Sequence, residues 1–408
     1  MNPDIHFTGI KGKSGAEIHL PVSKSECNRA QIISFLSQNQ VVLNNFSDAN
    51  DSVILQNLLD TISHGKNHVL DCGPAGTTFR FILAIASITP GTWHLTGSER
   101  MKQRPIGILV DALRKLGASI KYEEKDGFPP LIVNGTFLQG GQLDIDPGVS
   151  SQFISALMMI APLLKDGLEI RFTSEPVSFP YLQMTAGIMK QCGAEVSLDK
   201  KWVKISSGNY KNTHITCEKD WSAASYFYSL AAVNTELKIH LPGLKKESLQ
   251  GDSVVQHMYA FFGVETEFTG NGVRLYNNQT VFTDYLEYDF SHCPDLAQTV
   301  AFTCTALRIS GKLTGLSTLR NKETDRIEAL KTELTKCGME CETAADFIAF
   351  SPNGPLPEKI TFSTYEDHRM AMASSVMALV CHSITIKEKS VVEKSFPGFW
   401  EEAGKILY

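Results

Sequence analysis

Six segments of the chain read as helices that must be enclosed on every side: SKSECNRAQIISFL, AGTTFRFILAIA, SSQFISALMMIAPLL, WSAASYFYSLAAV, PDLAQTVAFTCTAL and HRMAMASSVMALV. Each has a polar first turn and then a body with few charges and small or apolar residues all round, the pattern of a helix with no water-facing side. With Lys24, Gly76, Ser150, Trp221, Pro294 and His368 as their starts, the intervals are 52, 74, 71, 73 and 74 residues. A second series runs in phase: LRKLGASIKY, IMKQCGAEVSL, MYAFFGVETEF and LKTELTKCGMECE, whose glycines Gly117, Gly193, Gly263 and Gly338 lie 76, 70 and 75 residues apart. Each glycine falls where a helix end favours a left-handed residue before an alternating strand. A period above seventy exceeds the roughly 20–50 residues of common solenoids. Each unit has room for two helices and three or four strands, so the chain is predicted to be an α/β protein of six compact units grouped into globular domains.

Composition narrows the function. At 408 residues and 43% hydrophobic content, two or more domains can each bury a sizeable core. The net charge of −6 and pI near 6.0 argue against a dominant nucleic-acid surface, so any basic cluster must be local. The opening MNPDIHFTGIKGKSG lacks a secretory apolar core. The apolar runs, such as FISALMMIAPLL, fall short of the ~20 residues that span a bilayer. A cytoplasmic protein is expected. The nine cysteines form no CxxC pair, and Cys337 and Cys341 have no neighbours to complete a zinc site, so buried, reduced thiols and no metal are expected.

The helix starts carry the chemistry. A helix N-terminus presents unpaired N–H groups and partial positive charge, so several such ends facing one cleft attract an anion. In PVSKSECNRAQ, Ser23 or Ser25 can cap the helix while Lys24 and Arg29 add full charges. LDCGPAGTTFRFI offers a turn at Gly73, Pro74 and Gly76 that lets backbone N–H groups approach a ligand, followed by Arg80. Arg104, before Pro105, is either an anion ligand or a surface charge. Ser150, Ser151 and Gln152 give three hydrogen-bonding groups where a cap needs one. Asp295 is either a favourable first-turn acid or a general base in a dry cleft.

Lys322, Glu323, Asp325 and Arg326 crowd into LRNKETDRIEAL, and Asp367, His368, Arg369 and Lys394 follow. Lys24, Arg29, Arg80, Arg104, Lys322, Arg326, Arg369 and Lys394 all fall at or near helix entrances in an acidic chain. They imply a pocket for more than one phosphate or carboxylate, in which Asp295 and Glu323 are expected to be the only enclosed acids. The crowded cations are expected to repel one another until an anion arrives.

SKSECNR, AGTTFR, RMKQRPIG, GVSSQF, PDLAQT, NKETDR, YEDHRMAM and KSFPGFW, in this order from residue 23 to 400, closely resemble the 5-enolpyruvylshikimate-3-phosphate (EPSP) synthase family. The resemblance implies an inside-out α/β barrel architecture of two domains, each of three βαβαββ units around buried parallel helices. It places residues 20–218 in a first domain, mainly on the shikimate 3-phosphate side, and residues 1–19 with 219–408 in a second, with the N-terminal strand joining the C-terminal half. It implies transfer of the enolpyruvyl group of phosphoenolpyruvate to the 5-hydroxyl of shikimate 3-phosphate, by addition and elimination, with no metal or organic cofactor, in a protein that is a monomer.

By the same resemblance, shikimate 3-phosphate meets Lys24, Ser25, Arg29, Ser150, Ser151, Gln152, Ser178, Asp295 and Lys322. Phosphoenolpyruvate meets Lys24, Gly76, Arg104, Gln152, Arg326, Arg369 and Lys394. Asp295 is expected to take the hydroxyl proton, Glu323 to move the proton at the methylene carbon, Lys24 to assist at the phosphate, and Asp325 to orient the arginines. Val22, Pro74 and Cys27 depart from the family's usual Gly, Asn and Ser. Pro74 removes an N–H from the phosphoenolpyruvate loop, which bears on affinity for that substrate and for glyphosate, which competes with it. Two other readings are a sister enzyme acting on UDP-N-acetylglucosamine, whose reactive loop cysteine is missing before RPIG, and a catalytically silent binding protein.

Overall fold

The computed structural model describes residues 3–65, 67–148, 150–278 and 284–408. Val149, within the GVSSQF motif, lies outside the described residues. The chain divides into two compact units, Val22–Cys217 and Met1–Pro21 with Glu218–Tyr408. The two segments that join them are tied to each other, since Asp220 N donates to Pro21 O at 3.0 Å and Lys219 Nζ donates to Leu20 O at 2.8 Å.

Among the described residues there are six sheets, three in each unit. Four of them share one topology: a parallel pair extended by two antiparallel strands, the last strand paired being the third in chain order. In the strands Asn67–Asp71, Gly91–Thr96, Ser119–Tyr122 and Leu131–Gly135, the first two pair in parallel, the second with the fourth, and the fourth with the third. The sheets built around Leu168–Phe172, Lys238–Pro242 and Ser310–Thr314 repeat it. A parallel pair needs a crossover whereas an antiparallel pair needs only a turn, so this order is what βαβαββ produces.

The other two sheets are smaller. Val41–Leu43 pairs in parallel with Thr213–Ile215, and Ile5–Thr8 pairs antiparallel with Ser383–Ile386, which also pairs with Lys359–Phe362. The first of these has two strands rather than the expected three or four, because its second strand is supplied from 170 residues downstream.

The enclosed helices are α1 (Lys24–Leu36), α2 (Gly76–Ile88), α3 (Ser151–Ile160), α4 (Trp221–Val233), α5 (Ala297–Leu307) and α6 (His368–Ser374). In α2 every residue from Thr78 to Ser87 is buried, as the all-round apolar pattern requires. α1, α2 and α3 pack together in one unit, and α4 and α6 each pack on α5 in the other. Their polar residues are paired across the helix seams: Ser225 Oγ with Thr299 Oγ1 at 3.2 Å, and one turn later Ser229 Oγ with Thr303 Oγ1 at 2.7 Å. Such pairing removes the cost of about 1–3 kcal/mol for each unsatisfied buried hydroxyl.

The last two helices are shorter than the sequence pattern suggests. Pro294 opens a 3₁₀ turn before α5, its missing N–H being harmless there. α6 gives way to a 3₁₀ turn at Ser375–Leu379, where Ser374 and Ser375 hydroxyls bond to the carbonyls of Ala371 and Met372. Gly117, Gly193, Gly263 and Gly338 all have positive φ, from 70° to 105°, as helix ends of that kind demand. Eight of the nine free cysteines are buried and Cys341 is partly so. Among the described residues, no helix is long and apolar enough to cross a membrane.

Candidate active site

In the unit Val22–Cys217, the N-terminal ends of four helices are stitched together. Lys24 Nζ donates to Asp51 Oδ2 at 3.1 Å, Thr78 Oγ1 donates to the Asp51 carbonyl at 2.9 Å, and Gln152 Nε2 donates to Thr77 Oγ1 at 3.0 Å. Asp51 lies in the first turn of the helix Asn50–His64 and is buried, and Ser52 Oγ beside it donates to Asn28 Oδ1 at 2.6 Å. Lys24, Gly76, Thr77 and Gln152 therefore belong to one connected cluster.

Gly76 sits under the guanidinium of Arg104: a Cβ at this position would collide with Nη1 and with Cζ, 2.7 Å away. Arg104 is thus a buried partner of the glycine turn rather than a surface charge. Arg80 braces the same turn, donating to Gly76 O at 2.8 Å and to Pro105 O at 3.4 Å. α2 begins without a side-chain cap, whereas Ser150 caps α3 through Gln152 N. Ser23 occupies the cap position of α1 but its hydroxyl makes no cap bond, and Ser25 lies within the helix, so the expected serine cap is not made. Ser151 is buried beside Ser150.

Arg29 faces inward. Only 2% exposed, it donates from Nε to Thr185 Oγ1 at 2.6 Å, from Nη1 to Ser25 O at 2.8 Å and from Nη2 to Ser155 Oγ at 3.2 Å, between the rings of Phe81 and Tyr181. Burial pulls its pKa down to about 10. Its visible work is to hold Ser25 in place. Ser178 has φ of 55°, a left-handed backbone uncommon for a residue with a Cβ, and its buried hydroxyl does not cap the helix it precedes.

In the other unit, one guanidinium gathers three carboxylates. Arg326 donates from Nε to Asp367 Oδ2 at 2.6 Å, from Nη1 to Asp295 Oδ1 at 3.1 Å and from Nη2 to Glu323 Oε2 at 2.9 Å. Arg369 Nη2 donates to Asp295 Oδ2 at 2.7 Å, and Lys394 Nζ lies 3.6 Å from Glu323 Oε1. Burial works against the charge of Arg326, but Asp367, Glu323 and Asp295 more than offset it and hold its pKa above the ordinary value. Arg326, Arg369 and Lys394 are each within reach of a carboxylate.

Two further expectations are corrected here. Asp325 does not orient Arg326 or Arg369: its carboxylate caps the helix Arg326–Lys336 through Ile327 N and Glu328 N and pairs with Arg320 Nη1 at 2.7 Å. Asp295 and Glu323 are also not the only enclosed acids, because Asp367, Asp252 and Asp51 are more deeply buried. Asp252 accepts from the Ser222 hydroxyl, and burial followed by the nearby charge of Asp295 pushes its pKa up to about 7. Tyr226, whose hydroxyl is 3.4 Å from Arg369 Nη1, is pushed up to about 12 by burial. Lys322 and Glu323 lie in a half-buried bend that precedes the helix, rather than in its first turn.

The two clusters offer cations and N–H groups for anions together with carboxylates able to move protons. Comparison with known proteins agrees with that chemistry. The profile of EPSP synthase (3-phosphoshikimate 1-carboxyvinyltransferase) matches residues 10–403. A 3-phosphoshikimate 1-carboxyvinyltransferase of Bacteroides fragilis is 46% identical over 394 residues, covering 96% of this chain and 95% of that one. One from a Sulfurovum species is 35% identical over 410 residues, covering 94% and 95%. In fold, the chain is similar to EPSP synthase from Acinetobacter baumannii, with a TM-score of 0.76 at 19% identity over 99% of both chains. The enolpyruvyl transferase NikO from Streptomyces tendae gives 0.74 at 12% identity, covering 99% and 97%. The chain belongs to the EPSP synthase (3-phosphoshikimate 1-carboxyvinyltransferase) family, the transferases that carry out enolpyruvyl transfer in the shikimate pathway.

Proposed function

We propose that the chain joins phosphoenolpyruvate to the 5-hydroxyl of shikimate 3-phosphate and releases phosphate, using its own side chains without a metal or organic cofactor. The observation that carries this reading is the sharing of Arg326 by Asp295 and Glu323. Two carboxylates with proton-transfer potential are held by the same cations that suit the anionic substrate. Shikimate 3-phosphate is assigned to Lys24, Ser25, Arg29, Ser150, Ser151, Gln152, Ser178, Asp295 and Lys322. Phosphoenolpyruvate is assigned to Lys24, Gly76, Arg104, Gln152, Arg326, Arg369 and Lys394.

In the addition step, the 5-oxygen bonds to C2 of phosphoenolpyruvate while Asp295 takes the hydroxyl proton and Glu323 gives a proton to C3. In the elimination, the C2–O bond to phosphate breaks, Glu323 recovers a proton from the new methyl group, and the double bond re-forms. Lys24 offsets charge on the departing phosphate. The protein acts as a cytoplasmic monomer on small-molecule substrates.

Phosphate release tests the reading. Release with both substrates together, and with neither alone nor with UDP-N-acetylglucosamine as acceptor, is the expected result. Release that needs the nucleotide sugar would transfer the chain to the sister activity, and no release with either acceptor would leave a binding role.

A further inference from the structure

Asp367 lies outside every role assigned so far, yet it is fully buried and touches both anion-binding arginines. Its Oδ2 accepts from Arg326 Nε at 2.6 Å, and its Oδ1 accepts from Arg326 Nη2 at 3.4 Å and from the backbone N–H of Arg369 at 2.8 Å. The other charged contacts of Arg326 run from Nη1 to Asp295 and from Nη2 to Glu323. Those two carboxylates are only partly buried, at 17% and 14% side-chain exposure against 0% for Asp367.

We propose that Asp367 is the permanent counterion that positions Arg326 and Arg369 for phosphoenolpyruvate, leaving Asp295 and Glu323 as exchangeable partners. This rests on the assignment of both arginines to that substrate. The physical argument concerns what happens when the proton-moving carboxylates change charge. A protonated Asp295 or Glu323 no longer attracts a guanidinium as an anion does, and a substrate carboxylate competes with both for the same Nη groups. Asp367 takes no part in either exchange. It occupies the Nε edge, so a planar guanidinium has only its Nη groups left to present.

The same carboxylate fixes the first turn of α6, where Arg369 begins its side chain. Of the three carboxylates that favour the charged form of Arg326, Asp367 contributes most. Asp367 touches no substrate in this scheme: it acts through its two arginines.

A double-mutant cycle of Asp367→Asn with Arg326→Lys tests this, read as the KM for each substrate in the phosphate-release assay. Asn caps a helix about as well as Asp, so the cap of α6 is kept while the negative charge facing Arg326 is removed. Asp367→Asn is expected to raise the KM for phosphoenolpyruvate about 30-fold or more and to leave that for shikimate 3-phosphate within about threefold. In the Arg326→Lys background the same change is expected to raise that KM by clearly less than in the native background, because the guanidinium that Asp367 positions is already gone while its hold on Arg369 remains. An unchanged KM for phosphoenolpyruvate, equal losses for both substrates, or effects that multiply in the double variant would each overturn the proposal.

If Asp367→Asn melts more than about 10 °C early, Asp367→Ser, which also caps, replaces it in the cycle. Calorimetric binding of phosphoenolpyruvate to the same variants reads the cycle without turnover. A wild-type chain with no shikimate 3-phosphate-dependent release therefore sinks the functional reading alone.

Discussion

Lys24 and Asp51 share a hydrogen bond of 3.1 Å between Nζ and Oδ2, with the carboxylate buried and the ammonium 15% exposed. The backbone carbonyl of Asp51 also receives the Thr78 hydroxyl, so this residue sets both the lysine and the start of α2. Asp51→Asn is expected to lower kcat/KM for phosphoenolpyruvate about 30-fold or more, since truncating one member of a buried charge pair costs about 2–5 kcal/mol. Steady-state kinetics check it, and an unaltered kcat/KM would mean that Lys24 finds its place without Asp51.

Glu323 is held by Arg326 Nη2 and lies near Lys394. Glu323→Gln keeps the shape and removes the proton carrier, so both substrates should still bind while kcat falls about 10²–10⁴-fold. Calorimetric binding paired with single-turnover phosphate release measures the two effects separately. Turnover retained within a few-fold would take Glu323 off the proton path.

The space above Gly76 is filled by the Arg104 guanidinium. Gly76→Ala should displace that group and raise the KM for phosphoenolpyruvate about tenfold while that for shikimate 3-phosphate stays within about twofold, a loss of roughly 1.4 kcal/mol confined to one substrate. A KM change shared by both substrates would show instead that the turn as a whole had moved.

Asp252 titrates near pH 7 because burial, and then the charge of Asp295, disfavour its anion; Arg369 and the Ser222 hydroxyl act against this, and Asp220 adds to it. The folded carboxyl thus holds its proton at pH values where the unfolded one, with a pKa of about 4, has lost it. Stability from this group is greatest below about pH 4, falls as pH rises from there to about 7, and is level above. Asp252→Asn should therefore be more stable than the native chain at pH 8, by up to about 4 kcal/mol, with the difference vanishing near pH 4. Urea unfolding at a series of pH values checks this, and a difference independent of pH would refute it.

The helix starts at Lys24, Gly76 and Trp221 and the four left-handed glycines are legible in the sequence because each is a local event, set by a few neighbouring residues. NKETDR likewise shows that charges gather before a helix, but not which acid serves which base. Asp325 is adjacent to Arg326 and bonds elsewhere, whereas Asp367 is 41 positions away and meets it directly. Burial is similarly hidden: the buried Arg29 has the same look as the exposed Arg171 in a string of letters, and Asp252 sits in a short 3₁₀ turn with no periodicity to mark it. These facts come from the packing of distant segments, which no local pattern encodes.

The pairing of Ile5–Thr8 with Ser383–Ile386 also orders events during synthesis. The partner strand is made about 375 residues after Ile5–Thr8, so at about 5–20 residues per second that strand waits roughly 20–75 s for it. Residues 22–217 wait less: their described strands all pair within that stretch, and the longest gap, from Val41–Leu43 to Thr213–Ile215, takes roughly 9–34 s at the same rate. The unit at residues 22–217 can thus be completed before the strand at residues 5–8 is paired, and until Ser383–Ile386 arrives that strand has an unpaired edge that a chaperone, or another nascent chain, can occupy.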